Sequence, residues 1–100
     1  MAVFNNMPGS AGTVELIDHA AGSNQSKTCT FSKNYHCVII VTGGYGGASI
    51  TSGSGWTADY SDGGSSANSG NGWHKYNVAS GESVTVKCNN RYGIGFYGIN

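Results

Sequence analysis

The aromatic rings in the glycine- and serine-rich middle of the chain are the residues best suited to binding chemistry. Trp56, Tyr60 and Trp73 are spaced through the stretch GGASITSGSGWTADYSDGGSSANSGNGW, residues 46–73. A flexible spacer has no use for such rings, because apolar surface left in water costs free energy. Rings interleaved with Ser, Asn, Gly and Asp offer flat apolar area and short hydrogen-bonding groups, which suit both sugars and proteins. The pattern therefore predicts a recognition surface.

The candidate ligand-binding residues combine aromatic rings with polar side chains that could hydrogen-bond a ligand beside them. For each candidate a structural role is the alternative, because its side chain could face inward from a short strand. The candidates are Tyr45, Trp56, Asp59, Tyr60, Asp62, Asn68, Asn71, Trp73 and His74.

Motifs for catalysis and for metal binding do not match the sequence. GSGW differs from the G-x-S-x-G turn that exposes a serine nucleophile. The histidines His19, His36 and His74 are far apart and lack ligand spacing. DYSDGG resembles a calcium-binding loop only loosely, and the scattered acids form no evident pair for glycoside cleavage. We therefore expect a non-enzymatic domain with no catalytic residue, no metal and no cofactor.

Length and charge restrict the possible partners. The 100 residues are enough for one domain, and five acidic against five basic residues leave no net charge. Without a long-range field, nucleic acid and anionic membranes are not expected partners. The longest apolar run, Cys37 to Val41, is far below the roughly 18 residues of a membrane-spanning helix. The start MAVFNNMPGS lacks the basic and apolar regions of a secretory signal, so we expect synthesis in the cytoplasm.

The three cysteines, Cys29, Cys37 and Cys88, cannot all pair within one chain. None of them lies in a C-x-x-C arrangement typical of zinc or redox sites. Buried free thiols are favoured, because free cysteine is among the most buried residue types. One disulfide with one thiol, or a metal site, are the alternatives.

Strands must position the candidate residues, because no window carries helical periodicity without an interrupting glycine. Short alternating segments between turns predict an all-β fold, an antiparallel β-sandwich or jelly roll of about seven or eight strands. Two hairpins are expected, at the turns SKNY and ASGE. Residues 1–12 are expected to be a flexible lead-in and residues 43–72 a Gly/Ser-rich loop region that includes two short strands. The predicted strands are 13–19, 27–31, 35–41, 48–51, 56–60, 73–78, 83–88 and 94–99.

Two strands carry a further expectation. From Cys37 to Val41 both faces are apolar, so this strand should be covered on both sides, or its outer face should meet another subunit. In the last strand Gly93, Gly95 and Gly98 predict close approach of another backbone.

Two segments of the chain resemble small β-rich domains of phage and prophage tail or minor structural proteins of Gram-positive bacteria. These segments are KTCTFSKNYHCVIIVTGG and YNVASGESVTVKCNNRYGIGFYGI. In those domains a T-F-x-K-x-Y strand pair leads into an apolar V-x-I-x-V strand. A Y-x-V-x-x-G-(D/E)-x-(V/I)-x-V hairpin then precedes a glycine-rich last strand. The matching residues are Thr30, Phe31, Lys33, Tyr35, Val38 to Val41, Tyr76, Val78, Gly81, Glu82, Val84 and Val86.

This resemblance implies a β-sandwich domain of a virion tail fibre or tail tip, assembled with other virion subunits, often as a homotrimer. Such a domain would present loops to a host-surface glycan or protein, without catalysis. Two alternatives remain: a purely structural assembly or decoration module of the virion, or a small secreted lectin-like protein, which would contain a disulfide.

Overall fold

The computed structural model describes residues 13–62 and 69–100, and in these ranges the chain is an all-β protein of eight strands. The predicted fold class, an antiparallel β-sandwich, is confirmed. No helix in the described ranges is long and apolar enough to cross a membrane. The strands are β1 (Val14–Ser23), β2 (Ser26–Thr30), β3 (Tyr35–Gly44), β4 (Ala48–Ser52), β5 (Thr57–Asp62), β6 (Ser69–Val78), β7 (Ser83–Cys88) and β8 (Arg91–Ile99).

The strands form two antiparallel sheets of unequal width. The larger sheet has the order β1-β8-β3-β6-β5, and the smaller has the order β2-β7-β4. The long strand β3 lies at the centre of the larger sheet, paired with β8 on one side and β6 on the other. The smaller sheet packs against one face of the larger sheet, with the core between them, and the other face of the larger sheet has no sheet over it in the described residues.

Both hairpin predictions are wrong, although the strands predicted on either side of each turn are present. The SKNY turn connects β2 to β3 and the ASGE turn connects β6 to β7, and in each case the two strands belong to different sheets. A four-residue turn can span the roughly 10 Å between packed sheets as well as the roughly 5 Å between paired strands. The turn-forming residues therefore predicted where the chain reverses direction, but not which strands pair with each other.

The core lies between the two sheets and follows the period-two pattern of the sequence. Cys29 and Phe31 face it from the smaller sheet, as do Val84, Val86 and Cys88, all as predicted. From the larger sheet it receives Tyr35, Val38, Ile40, Trp73, Val78, Ile94 and Phe96.

The three cysteines are free thiols, and all three side chains are buried. Burial raises the pKa of both Cys29 and Cys88 to about 11, and raises that of Cys37 as well. These positions match the buried free thiols favoured from the sequence.

Glycines in β8 are approached by side chains rather than by a second backbone. A Cβ at Gly98 would overlap the Tyr35 ring, and one at Gly95 would lie 2.6 Å from Cε1 of Tyr97. Nothing lies within 4 Å of the corresponding position at Gly93. The expectation of backbone approach is therefore corrected for these positions.

The Gly/Ser-rich stretch from Gly43 to Gly72 is built mostly into the sheets where it is described. It contains the end of β3, all of β4 and β5, and the start of β6. The two short strands predicted within it, 48–51 and 56–60, correspond to β4 and β5. Residues 1–12, expected to be a flexible lead-in, lie outside the described residues.

Candidate functional site

An open cleft lies where the edge strand β4 of the smaller sheet faces β5 and β6 of the larger sheet. Its volume is about 410 Å³, within the range of roughly 300–1,000 Å³ that is usual for ligand pockets. The cleft brings together four of the nine candidate residues. The residues that line the cleft include Ile50, Trp56, Ala58, Tyr60, Asn71 and Trp73.

The aromatic residues of the cleft differ in exposure. Trp73 is buried, lies opposite Ile40 in the sheet and belongs to the core. Trp56 is half-buried and packs on Phe31, with the ring centroids 6.4 Å apart. Tyr60 is 48% exposed. The structural alternative therefore holds for Trp73, whereas Trp56 has surface that a ligand can contact. The ring of Tyr60 lies over Gly72, on the face of the larger sheet that points away from the smaller sheet.

Asn71 holds the two sides of the cleft together. Its side chain is only 3% exposed, and its Oδ1 accepts a hydrogen bond of 3.0 Å from the Ala48 backbone N–H in β4. Its Nδ2 donates a hydrogen bond of 3.0 Å to Oγ of Ser61 in β5. Both ends of the amide are used within the protein, so Asn71 positions the cleft walls instead of offering a free group to a ligand.

The turn between β4 and β5 forms one rim of the cleft and is tied down by a lysine. Gly53 and Gly55 adopt φ of +109° and +84°, values that side-chain-bearing residues rarely adopt. Nζ of Lys75 donates to the Ser54 carbonyl at 2.8 Å and to Oε1 of Glu82 at 2.6 Å. The Lys75 hydrogen bond lowers the pKa of the Glu82 carboxyl. A charged pair outside the cleft thus fixes the rim that carries Trp56.

Asp59 and His74 form a pair away from the cleft lining. Asp59 Oδ1 and His74 Nδ1 are 2.7 Å apart, and the imidazole packs edge-on against Tyr76 with centroids 5.3 Å apart. Such a pair orients the ring, but catalysis would also require a nucleophile or substrate at the other nitrogen. In the structure the neighbour recorded for the ring, besides Asp59, is the aromatic side chain of Tyr76.

The remaining candidates lie elsewhere or have undescribed side chains. The ring of Tyr45 lies 4.7 Å from the guanidinium of Arg91, at the connection between β3 and β4, and does not line the cleft. Asp62 is in β5 opposite Gly70. Asn68 lies outside the described residues.

The cleft is electrically neutral in the part of the chain that the structure describes. None of its lining residues carries a carboxylate, an amine or an imidazole. Within residues 13–62 and 69–100, no cluster of three or more His, Cys, Asp or Glu side chains could hold a metal ion. The chemistry available is apolar contact with rings and hydrogen bonding by hydroxyl and backbone groups.

Sequence reasoning missed the contribution of β4 to this cleft. Ala48, Ser49 and Ile50 line it from the smaller sheet, and Ser61 lines it from β5. Their types are unremarkable for a short strand, and no motif marks them. Only the pairing of β4 with β7, which brings β4 to the edge facing β6, identifies them.

Comparisons of the chain with protein-family models, with curated proteins and with solved structures found no match.

Proposed function

We propose that this chain is a non-enzymatic recognition domain of a phage virion, at a tail fibre or tail tip, and that its cleft binds a neutral glycan of the host surface. The observation that carries the proposal is the open, uncharged cleft with the half-buried Trp56 along it. Pockets of this size with rings and a few polar groups are typical ligand sites.

The chemistry of the cleft suits a sugar better than a charged ligand. A sugar ring has an apolar C–H face that packs on an aromatic ring, and hydroxyls around its edge that need hydrogen-bonding partners. Ser61 accepts a hydrogen bond from Asn71, and a hydroxyl that accepts can still donate its own proton. An acidic glycan would need a cation, and the described lining residues include none.

The assignment to a virion rests on the resemblance of residues 27–99 to tail domains. The same resemblance supports synthesis in the bacterial cytoplasm, assembly with other virion subunits and a homotrimeric state. The absence of carboxylates, amines and imidazoles from the described cleft lining supports binding without a chemical step.

The test is a glycan array followed by titration calorimetry with the best neutral glycan, on the wild type and on Trp56→Ala. Loss of one stacking ring should weaken binding about tenfold, which corresponds to roughly 1.4 kcal/mol. Tyr76→Ala is the matched control, because it removes a ring that is 59% exposed and does not line the cleft.

A blocking variant covers the case in which a ring deletion disturbs folding. Ala58 is exposed and lines the cleft, so Ala58→Gln should obstruct the cleft while thermal unfolding stays unchanged. Wild-type affinity in Ala58→Gln and in Trp56→Ala would contradict the cleft assignment. If the domain binds a host protein and no glycan, and these substitutions weaken that binding, the ligand is a protein receptor instead of a glycan.

A second candidate function is a structural assembly module of the virion. It is favoured by the apolar outer face of the larger sheet, on which Val14, Leu16 and Tyr76 are exposed. Under this alternative the cleft variants leave every interaction of the virion intact, whereas changes on the outer face prevent assembly.

A further inference from the structure

The larger sheet has an outer face that the smaller sheet does not cover. Because cross-strand neighbours project to the same side of a sheet, the register of the five strands defines this face in rows. Val38 and Ile40 point to the core, so the alternate residues of β3 point outward. The three rows are Val14, Ile99, Cys37 and Tyr76; Leu16, Tyr97, Ile39, His74 and Thr57; and His19, Gly95, Val41, Gly72 and Tyr60.

This outer face holds every large hydrophobic side chain that is exposed in the described residues. Val14 is 59% exposed, Leu16 53%, Tyr60 48% and Tyr76 59%. The outer face of the smaller sheet is polar by contrast, with Thr28, Thr30, Thr85 and Lys87 at its outward positions. The asymmetry shows that apolar exposure is concentrated on one side of the sandwich.

Glycines make the outer face flat. The ring of Tyr97 lies over Gly95, and the ring of Tyr60 lies over Gly72, where a Cβ would overlap each ring. Both rings therefore lie along the sheet instead of standing away from it. A flat apolar surface allows another sheet to approach at the usual packing distance of about 10 Å.

The area matches what a modest protein interface needs. Five strands about 4.8 Å apart, and seven residues of β3 at about 3.3 Å each, give a face of roughly 24 by 23 Å, or about 550 Å². Two such faces bury about 1,100 Å², which is just below the roughly 1,200–2,000 Å² of standard specific interfaces and above the roughly 1,000 Å² that a biological interface should exceed. The largest exposed apolar patch of a soluble monomer is typically about 300–600 Å² and often marks an interaction site.

Charge on the outer face does not oppose contact with an identical face. Asp59 beside the three rows is paired with His74 at a distance of 2.7 Å. The next row, at one end of the face, contains Asp62 opposite Gly70, and Arg91 follows it in β8. The whole chain has no net charge, so two copies do not repel each other at long range.

From these observations we propose that the outer face of the larger sheet is an interface between copies of this chain, and that its occupant is the same face of a second copy. Such a contact is self-complementary and closes a two-fold dimer, in place of the homotrimer that the resemblance implies, so each substitution in it acts twice. The proposal does not depend on glycan binding, since the interface residues other than Tyr60 do not line the cleft.

The test is sedimentation equilibrium of the wild type, Leu16→Glu and Tyr76→Glu at concentrations up to about 500 µM. Each substituted side chain is more than half exposed in the single chain, so the variants should fold. A carboxylate placed twice in an apolar interface should raise the dissociation constant about a hundredfold or more. Thr30→Glu adds the same charge to the smaller sheet and should associate like the wild type.

Association of the wild type that is lost in both outer-face variants and kept in Thr30→Glu supports the proposal. A monomeric wild type at 500 µM overturns it, as does association that survives both variants. If either variant fails to fold, amide NMR of the wild type on dilution decides: shifts must centre on the three rows, and shifts on the smaller sheet overturn the proposal.

Discussion

The buried amide of Asn71 gives the sharpest test of how the cleft is held open. Asn71→Ala removes the acceptor for the Ala48 N–H and the donor to Ser61. A donor left without a partner costs about 1–3 kcal/mol, and the second lost hydrogen bond contributes about 0.5–1.5 kcal/mol. We expect the free energy of unfolding to fall by about 2–4 kcal/mol, with the loss concentrated at the contact between β4 and β6.

Urea denaturation followed by tryptophan fluorescence measures this change, and Ser61→Ala is its matched control. Ser61→Ala removes only the acceptor in β5 and should cost about 0.5–1.5 kcal/mol. In the double variant the two losses should not add, because the same hydrogen bond is removed in both.

Hydrogen exchange locates the effect. The Ala48 amide should be protected in the wild type and in Ser61→Ala, and should exchange much faster in Asn71→Ala. A cost below about 1 kcal/mol for Asn71→Ala, or unchanged protection of Ala48, would refute the role given to this side chain.

Three further predictions concern stability. The hydrogen bond from Lys75 lowers the pKa of the Glu82 carboxyl from its ordinary value of 4.5. The stability that this interaction contributes is therefore present above pH 4.5 and is lost as the pH falls through the folded-state pKa. Acid unfolding of Glu82→Gln should therefore depend less on pH below about 4.5 than that of the wild type; equal slopes would contradict this. Gly98→Ala should lower the thermal midpoint by several degrees because its Cβ meets a tyrosine ring, whereas Gly93→Ala on the same strand should be tolerated. Equal midpoints would show that the ring moves freely. Thiol titration should find three free cysteines in denaturant and slow reaction in the native protein, since Cys29 and Cys88 are buried with their pKa values raised to about 11; fewer than three would indicate a disulfide.

The strands and their inward faces could be predicted because their signal is local. Alternation in β2 and β7 placed Cys29, Phe31 and Val84 in the core, and the structure confirms these positions. Alternation is weaker in β1, where the register shifts between Leu16 and Asp18 and leaves Leu16 outside while Ile17 packs against the core. A bulge of this kind is set by the partner strand, which the local pattern does not contain.

Strand pairing could not be predicted, since it depends on where each turn directs the chain. Asn77 has a φ of +58°, just before the ASGE turn, and the Cα pairing between β3 and β6 omits it. Asparagine adopts this conformation more readily than most residues, but its presence does not distinguish a hairpin from a crossing between sheets. The same limit applies to the cleft: Trp56 could be selected by residue type, whereas the contribution of β4 and the outward direction of the Tyr60 ring required the sheet order and register.

The two faces of β3 show why an apolar strand need not be buried alike on both sides. Inward, Val38 and Ile40 are completely buried against side chains of the smaller sheet. Outward, Ile39 and Val41 are only half-buried, and the rings beside them lie on glycines in the neighbouring strands. A tyrosine lying flat on Gly72 or Gly95 covers backbone without building a second layer. The sequence signature of this arrangement is glycine on one strand and tyrosine nearby on the same sheet face, so it becomes visible only when the register is known.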